Sequence, residues 1–158
     1  MMPLVNRIAM LLAGLWAGVM VSLGTIAAPT AFAMLARPDA GRLVGRIFAQ
    51  DAYLSLAFAL VLLVIERQRV RDQTALGTGS VFSVNLMLLL GTVFCTVAGY
   101  FAVLPMMEAA REGTGSFSFG ALHAVSAGMF SAKGLLVLAL AWRLTAPGLR
   151  VKTTVTTS

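Results

Sequence analysis

Long apolar runs interrupted by short polar breaks set the rhythm of this chain. The first run extends from Ile8 to Leu35 and stops at Arg37-Pro-Asp-Ala-Gly41. The second starts at Gly41 or Arg42 and continues to Ile65, where Glu66-Arg-Gln-Arg-Val-Arg-Asp72 ends it. Gly77-Thr-Gly-Ser80 reads as a flexible turn. A third run covers Val81 to Met107, the short loop Arg111-Glu-Gly-Thr-Gly-Ser116 follows, and a fourth covers Phe117 to Trp142, closed by Arg143 and then Pro147-Gly148. A helix needs about 20 apolar residues to cross a bilayer, and each run supplies them. The pattern predicts an all-α integral membrane four-helix bundle over residues 1–143, with spans 8–35, 41–65, 81–107 and 117–142. A polar, Thr-rich, mobile cytoplasmic tail is expected over 144–158.

Composition excludes the alternatives. Of 158 residues, 59% are apolar and 11% charged, far from the balance of a soluble domain, and a globule of this size cannot hide so much hydrocarbon from water. The net charge of +6 does not point to nucleic acid, because the basic residues stand at span ends and suit lipid headgroups instead. One cysteine, Cys95, and one histidine rule out a disulfide framework and a zinc site of nitrogen and sulfur ligands. The first run also has features of a secretory leader, with Arg7 ahead of it and Ala31-Phe32-Ala33 in the form of a cleavage site. It is longer than a leader core, however, and carries Gly14 and Gly18 at helix-packing spacing, so we read it as a span. Orientation follows from Lys and Arg placement. Arg7, Arg67, Arg69, Arg71, Arg143, Arg150 and Lys152 fall on one side; Arg37, Arg42, Arg46 and Arg111, mixed with Asp39, Glu108 and Glu112, fall on the other. Both termini are expected in the cytoplasm.

Helices in lipid associate by close packing more than by hydrophobic burial. Advancing 100° per residue brings Gly14, Gly18, Thr25 and Pro29 to one face of the first helix, with Phe32 beside them. The same step groups Gly91, Cys95, Ala98 and Ala102 on the third helix, and Gly120, Ala127, Ser131 and Gly134 on the fourth. These three ribbons are the expected packing faces. Pro29 and Pro105 interrupt their helices near the same membrane surface, and each frees a carbonyl one turn earlier. Such carbonyls are tolerated where protein or cavity water satisfies them, so harmless kinks and a small cavity are both open readings.

Ionisable residues inside a span are costly and mark candidate sites. The run Ala52–Ile65 is too short to cross alone, so the membrane must extend past Asp51. That short carboxylate cannot snorkel and is expected to face the interior. There it would meet a partner on another helix, line a wet cavity or be neutralised. His123 falls within the fourth ribbon and is expected against neighbouring helices, where an imidazole suits proton relay, a metal or haem iron; a lone structural hydrogen bond is the plainer alternative. Asp51 and His123 approach from the same side. Arg42 and Arg46 suit an anion path or headgroup contacts. Lys133 shares a face with Leu122, Met129, Leu136 and Leu140, which predicts a lipid-facing amine stretching to the surface, with Asn85 as a possible neighbour. Met34, Met106, Met107 and His123 are expected toward the non-cytoplasmic side, where they would suit copper, though Met is ordinary apolar filler. No nucleophile–base–acid arrangement, phosphate loop or dinucleotide fingerprint occurs, which points away from an enzyme.

The order Leu15-Trp16-Ala-Gly18, Ala28-Pro29-Thr-Ala-Phe32, Gly41-Arg-Leu-Val-Gly45-Arg46-Ile-Phe48 and Leu122-His123-Ala-Val-Ser126 resembles a family of small bacterial four-helix membrane proteins related to eukaryotic transmembrane protein 205, a domain of unknown function. The resemblance runs from Ile8 to Trp142. It implies four spans in the bacterial cytoplasmic (inner) membrane, and it singles out Trp16, Pro29, Phe32, Gly41, Gly45, Arg46, Phe48, His123 and Ser126. Lys133 departs from the family pattern, whose matching stretch is apolar. Together these readings favour a non-enzymatic transport, export or ligand-binding component with a polar site near the non-cytoplasmic side, formed by Pro29, Arg46, Asp51, His123 and Ser126. No cofactor is required, and the bilayer and a homo-oligomer or membrane complex are the expected partners. The alternatives are an accessory or redox subunit with haem or copper at His123, and a structural membrane factor with no site.

Overall fold

A computed structural model describes residues 4–75 and 83–146. The described residues are all helical apart from short connections and contain no strand. Four helices are long and apolar enough to span a membrane: α1 Leu4–Met34, α2 Arg37–Ala75, α3 Val84–Arg111 and α4 Phe119–Thr145. Their bounds lie within a few residues of the predicted spans except at the end of α2. There the charged segment Glu66–Asp72 stays helical, because polarity ends a span without ending a helix. The turn expected at Gly77–Ser80 and most of the expected tail lie outside the described residues.

Side chains start the later helices cleanly. Ser83 and Ser118 adopt extended backbone and accept hydrogen bonds from Leu86 N–H and Ala121 N–H, satisfying donors that the first turns leave free. Both prolines are absorbed without a break. A wide π turn, Leu23–Ala27 in α1 and Ala98–Val103 in α3, lies just ahead of Pro29 and Pro105, and Ala28 N–H reaches Leu23 O while Leu104 N–H reaches Gly99 O. The wider turn accommodates a ring that would collide with a regular helical carbonyl.

The helices run up and down in a ring, each packed against the next and α4 closing against α1. One end of the bundle carries the start of α1 and the finish of α4 (the terminal end); the other carries the short loops 35–36 and 112–118 (the loop end). The core of the terminal half is Ala9, Ala13, Trp16, Ala17 and Met20 of α1, Ala59 and Leu62 of α2, Leu89 of α3, and Val137 and Leu140 of α4. Alanine, not glycine, therefore lets α1 approach its neighbours. The expected ribbons are corrected accordingly: Gly14, Gly18, Thr25, Pro29 and Phe32 are exposed, as are Gly120, Ala127 and Ser131. Gly91 does mark a close approach, since a Cβ there would lie 3.0 Å from Leu136 Cδ1.

The two hairpins match in register. Pro29 and Pro105 stand 76 residues apart, and the same step carries buried Ala13, Trp16, Met20 and Ala31 onto buried Leu89, Thr92, Thr96 and Met107. From α2 to α4 the step is 82. It carries Arg37, the first residue of α2, onto Phe119, the first of α4, and buried Ala40, Asp51 and Ser55 onto buried Leu122, Lys133 and Val137. The larger step reflects the longer second loop. These buried positions of one hairpin thus recur in the other, α1 matching α3 and α2 matching α4, in the way a half-turn about the bundle axis would relate them.

Candidate functional site

Asp51 and Lys133 meet at the centre of the bundle. Each stands 14 residues from the start of its helix, about 21 Å at 1.5 Å per residue, near the midpoint of α4. Lys133 Nζ donates to Asp51 Oδ2 at 2.7 Å and to Ser55 Oγ at 3.2 Å. Trp16 Nε1 donates to Ser55 Oγ at 3.1 Å, and that hydroxyl reaches Asp51 Oδ1 at 3.5 Å. The serine thus uses its one donor and both acceptor positions. Residue exposures are 0% for Trp16, 1% for Ser55, 4% for Asp51 and 5% for Lys133. Helix spacing explains the cluster, since Asp51 and Ser55 lie one turn apart on the same face of α2. The ammonium also sits 5.4 Å from the Phe130 ring centroid, and Phe130 packs on Phe48 with centroids 4.7 Å apart. Phe48 and Phe130 are themselves related by the same 82-residue step as the charged pair.

The surroundings differ above and below the pair. Toward the terminal end lie Ala13, Ala59, Leu62, Leu89, Val137 and Leu140, none more than 3% exposed. Thr92 and Thr96 on the neighbouring face of α3 return their hydroxyls to Leu89 O and Thr92 O of their own helix, so neither hydroxyl proton is left free beside the pair. Toward the loop end is a cavity of about 90 Å³ between α2, α3 and α4. Asp51, Lys133, Thr96 and Cys95 border its deep part, while Gly45, Tyr100 and Ser126 lie farther out. A second polar cluster sits at the terminal end. Ser83 Oγ donates to Glu66 Oε1 at 2.7 Å, and Arg69 bonds Glu66 at 3.5 Å and Asn6. This cluster ties the start of α1 and α3 to α2.

The sequence-singled residues divide into three groups. Asp51, Ser126, Gly45 and Phe48 border the cavity, and Trp16 holds Ser55. Pro29, Phe32 and Arg46 are exposed and Gly41 is half-buried, none of them bordering the cavity. His123 departs from expectation: it is exposed on α4 and stacks on Phe119, rings 6.0 Å apart and 15° from parallel. Arg111 covers the same Phe119 ring at 4.7 Å. No hydrogen bond or ion pair joins His123 to Asp51 among the described residues. Lys133 is also corrected, being buried with Asp51 as its partner, while Asn85 accepts from Arg143 Nε at 3.0 Å. Arg42 pairs with Asp39 on the exposed start of α2. The thioether set is dispersed, with Met34 79% exposed and Met107 buried beside Val103 and Leu122. Among the described residues no three His, Cys, Asp or Glu side chains converge on a metal-sized point. Sequence reasoning missed Ser55 as the hub and Lys133 as the counter-charge. The signal was present, because Asp51 and Lys133 are oppositely charged residues at matching depth.

Residues 11–116 match a protein family described as a domain of unknown function (DUF4149). The matched stretch contains Trp16, Asp51 and Ser55, and Lys133 lies beyond it. No curated protein matches the chain, and no solved structure does.

Proposed function

Because the chain belongs to this DUF4149 family, we propose that it is a multi-pass membrane transport component whose working group is the Asp51–Lys133 pair. The observation that carries this reading is an ion pair no more than 5% exposed, near the midpoint of α4, beside a cavity. A buried ion pair is seldom more stabilising than apolar residues of the same volume, whereas intramembrane charges commonly mark ion or proton paths. Adding a proton to Asp51 cancels the carboxylate charge and releases Lys133, which couples the pair to proton movement. A role without chemical turnover, both termini in the cytoplasm, a bacterial inner-membrane setting and kinship with the transmembrane-protein-205-like proteins form part of the same proposal. So does self-association, which Gly14, Gly18, Gly120 and Gly128 support because a Cβ on any of them would meet nothing within 4 Å. His123 lies on the exposed side of α4, apart from the Asp51–Lys133 pair.

The test is proton flux in proteoliposomes under a potassium diffusion potential, read by a trapped pH dye. Asp51→Asn and the double variant Asp51→Leu/Lys133→Met are both expected to lose the flux seen with the native chain. The double variant should still insert and fold. Native flux in a folded double variant, or no flux from the native chain, would reject the reading.

A further inference from the structure

We infer that the cavity is an aqueous vestibule open only toward the loop end, so that water and hydronium from that side are the species that reach Asp51 and Lys133. This rests on reading the pair as the working group, and it adds which compartment serves it. The bonding capacity around the pair favours a wet cavity. A carboxylate offers about four acceptor positions and an ammonium three donors, yet Asp51 receives Lys133 and Ser55 alone, and Lys133 donates twice. Ser126, farther along the wall, has no hydrogen bond to the described residues. Polar capacity of this kind within a span is tolerated where it lines water. The volume, about 90 Å³, exceeds several times the roughly 10–15 Å³ that one water centre requires.

One-sidedness follows from the numbering of the wall. On α2 and α4 the lining residues Gly45, Phe48, Ala49, Ser126, Met129 and Phe130 precede the charged pair and Ala52 follows Asp51 by a single residue, and both helices start at the loop end. On α3, which finishes there, the wall continues past Thr96 to Leu104. Below the pair Ala13, Ala59 and Val137 are no more than 1% exposed, and a small cavity of about 10 Å³ farther down, between Leu62, Leu89, Leu140 and Glu66, reaches neither Asp51 nor Lys133. The half-turn related cleft, between α1, α2 and α4, is closed as well. Where α3 has Thr96, α1 has Met20, whose methyl group would lie 3.7 Å from a Cβ on Gly134. A Cβ on Gly24 would lie 3.3 Å from Phe130. Among the described residues the cleft between α2, α3 and α4 is therefore the way to the pair.

The native chain carries its own probe, because Cys95 is the one cysteine in the sequence and borders the deep part of the cavity. A charged, membrane-impermeant methanethiosulfonate is applied to either face of sealed vesicles, and the mass of the intact protein is read. The thiolate attacks the reagent sulfur and expels sulfinate, leaving a mixed disulfide. Thr114→Cys in a Cys95→Ala background identifies the loop face, and Phe94→Cys in that background reports reaction through lipid. Expected is one adduct on Cys95 from the loop face, none from the terminal face, none on Phe94→Cys, and loss of the Cys95 adduct in Thr96→Met. Labelling from the terminal face, no labelling from either face, or labelling solely by a neutral permeant analogue would overturn the inference. Labelling needs no transport, so a chain that labels as expected yet carries no flux keeps the vestibule and loses the transport reading.

Discussion

The hairpin α1–α2 and the hairpin α3–α4 bury side chains at the same heights, yet one encloses a packed seam and the other opens a cavity. In the first, Met20 and Leu23 stand where the second has Thr96 and Gly99. A long thioether fills space that a small hydroxyl residue and a glycine leave empty. The same relation places a carboxylate in one half and an ammonium at the matching position of the other. Matching patterns of burial thus yield an asymmetric site through a few side chains. The shared register brings the two charges to one height, and the departures from it supply charge and access.

The largest effect should come from disturbing the charge relation. Asp51→Leu strands a buried ammonium and should destabilise the fold by about 3–5 kcal/mol. Adding Lys133→Met should recover most of that loss, read as unfolding in mixed micelles. A double variant as unstable as the single would mean that the pair does not act as a unit. Next is the cleft comparison. Met20→Thr should hollow the sealed seam and cost about 2–4 kcal/mol, whereas Thr96→Met, entering open space, should cost less than about 1.5 kcal/mol. Equal costs would remove the distinction between the clefts. The smallest effect concerns the glycines. Gly41→Ala, where a Cβ would meet nothing within 4 Å, should stabilise its helix by about 0.5–1 kcal/mol. Gly91→Ala must displace Leu136 and should show no such gain. Matching gains would argue against close packing of α3 on α4.

Hydropathy made the four helices legible, because a span must satisfy its own backbone and keep apolar surface outward. It could not assign faces. In lipid both the buried and the exposed sides of a helix are apolar, so the wheel placed Gly14 and Gly18 inward while Ala9, Ala13 and Ala17 make the contact. The same ambiguity sent His123 inward and Lys133 outward, the reverse of their positions. Asp51 was readable because a short carboxylate has no other means of leaving the lipid. Ser55 carried no signal, since a lone serine is ordinary in such helices and its role depends on Trp16, which lies 39 residues away.

The wide turns ahead of Pro29 and Pro105 each insert about one residue beyond a regular winding. Everything beyond such a turn is therefore swivelled by roughly 100° relative to the stem below it. In both helices the stripe that grips the partners steps sideways at that height. Below it α1 and α3 mesh tightly, while above it they offer different flanks. A one-residue deletion inside the α3 turn would swing Leu104, which borders the cavity, away from its present face, so the opening is written partly into chain length and not into side chains alone.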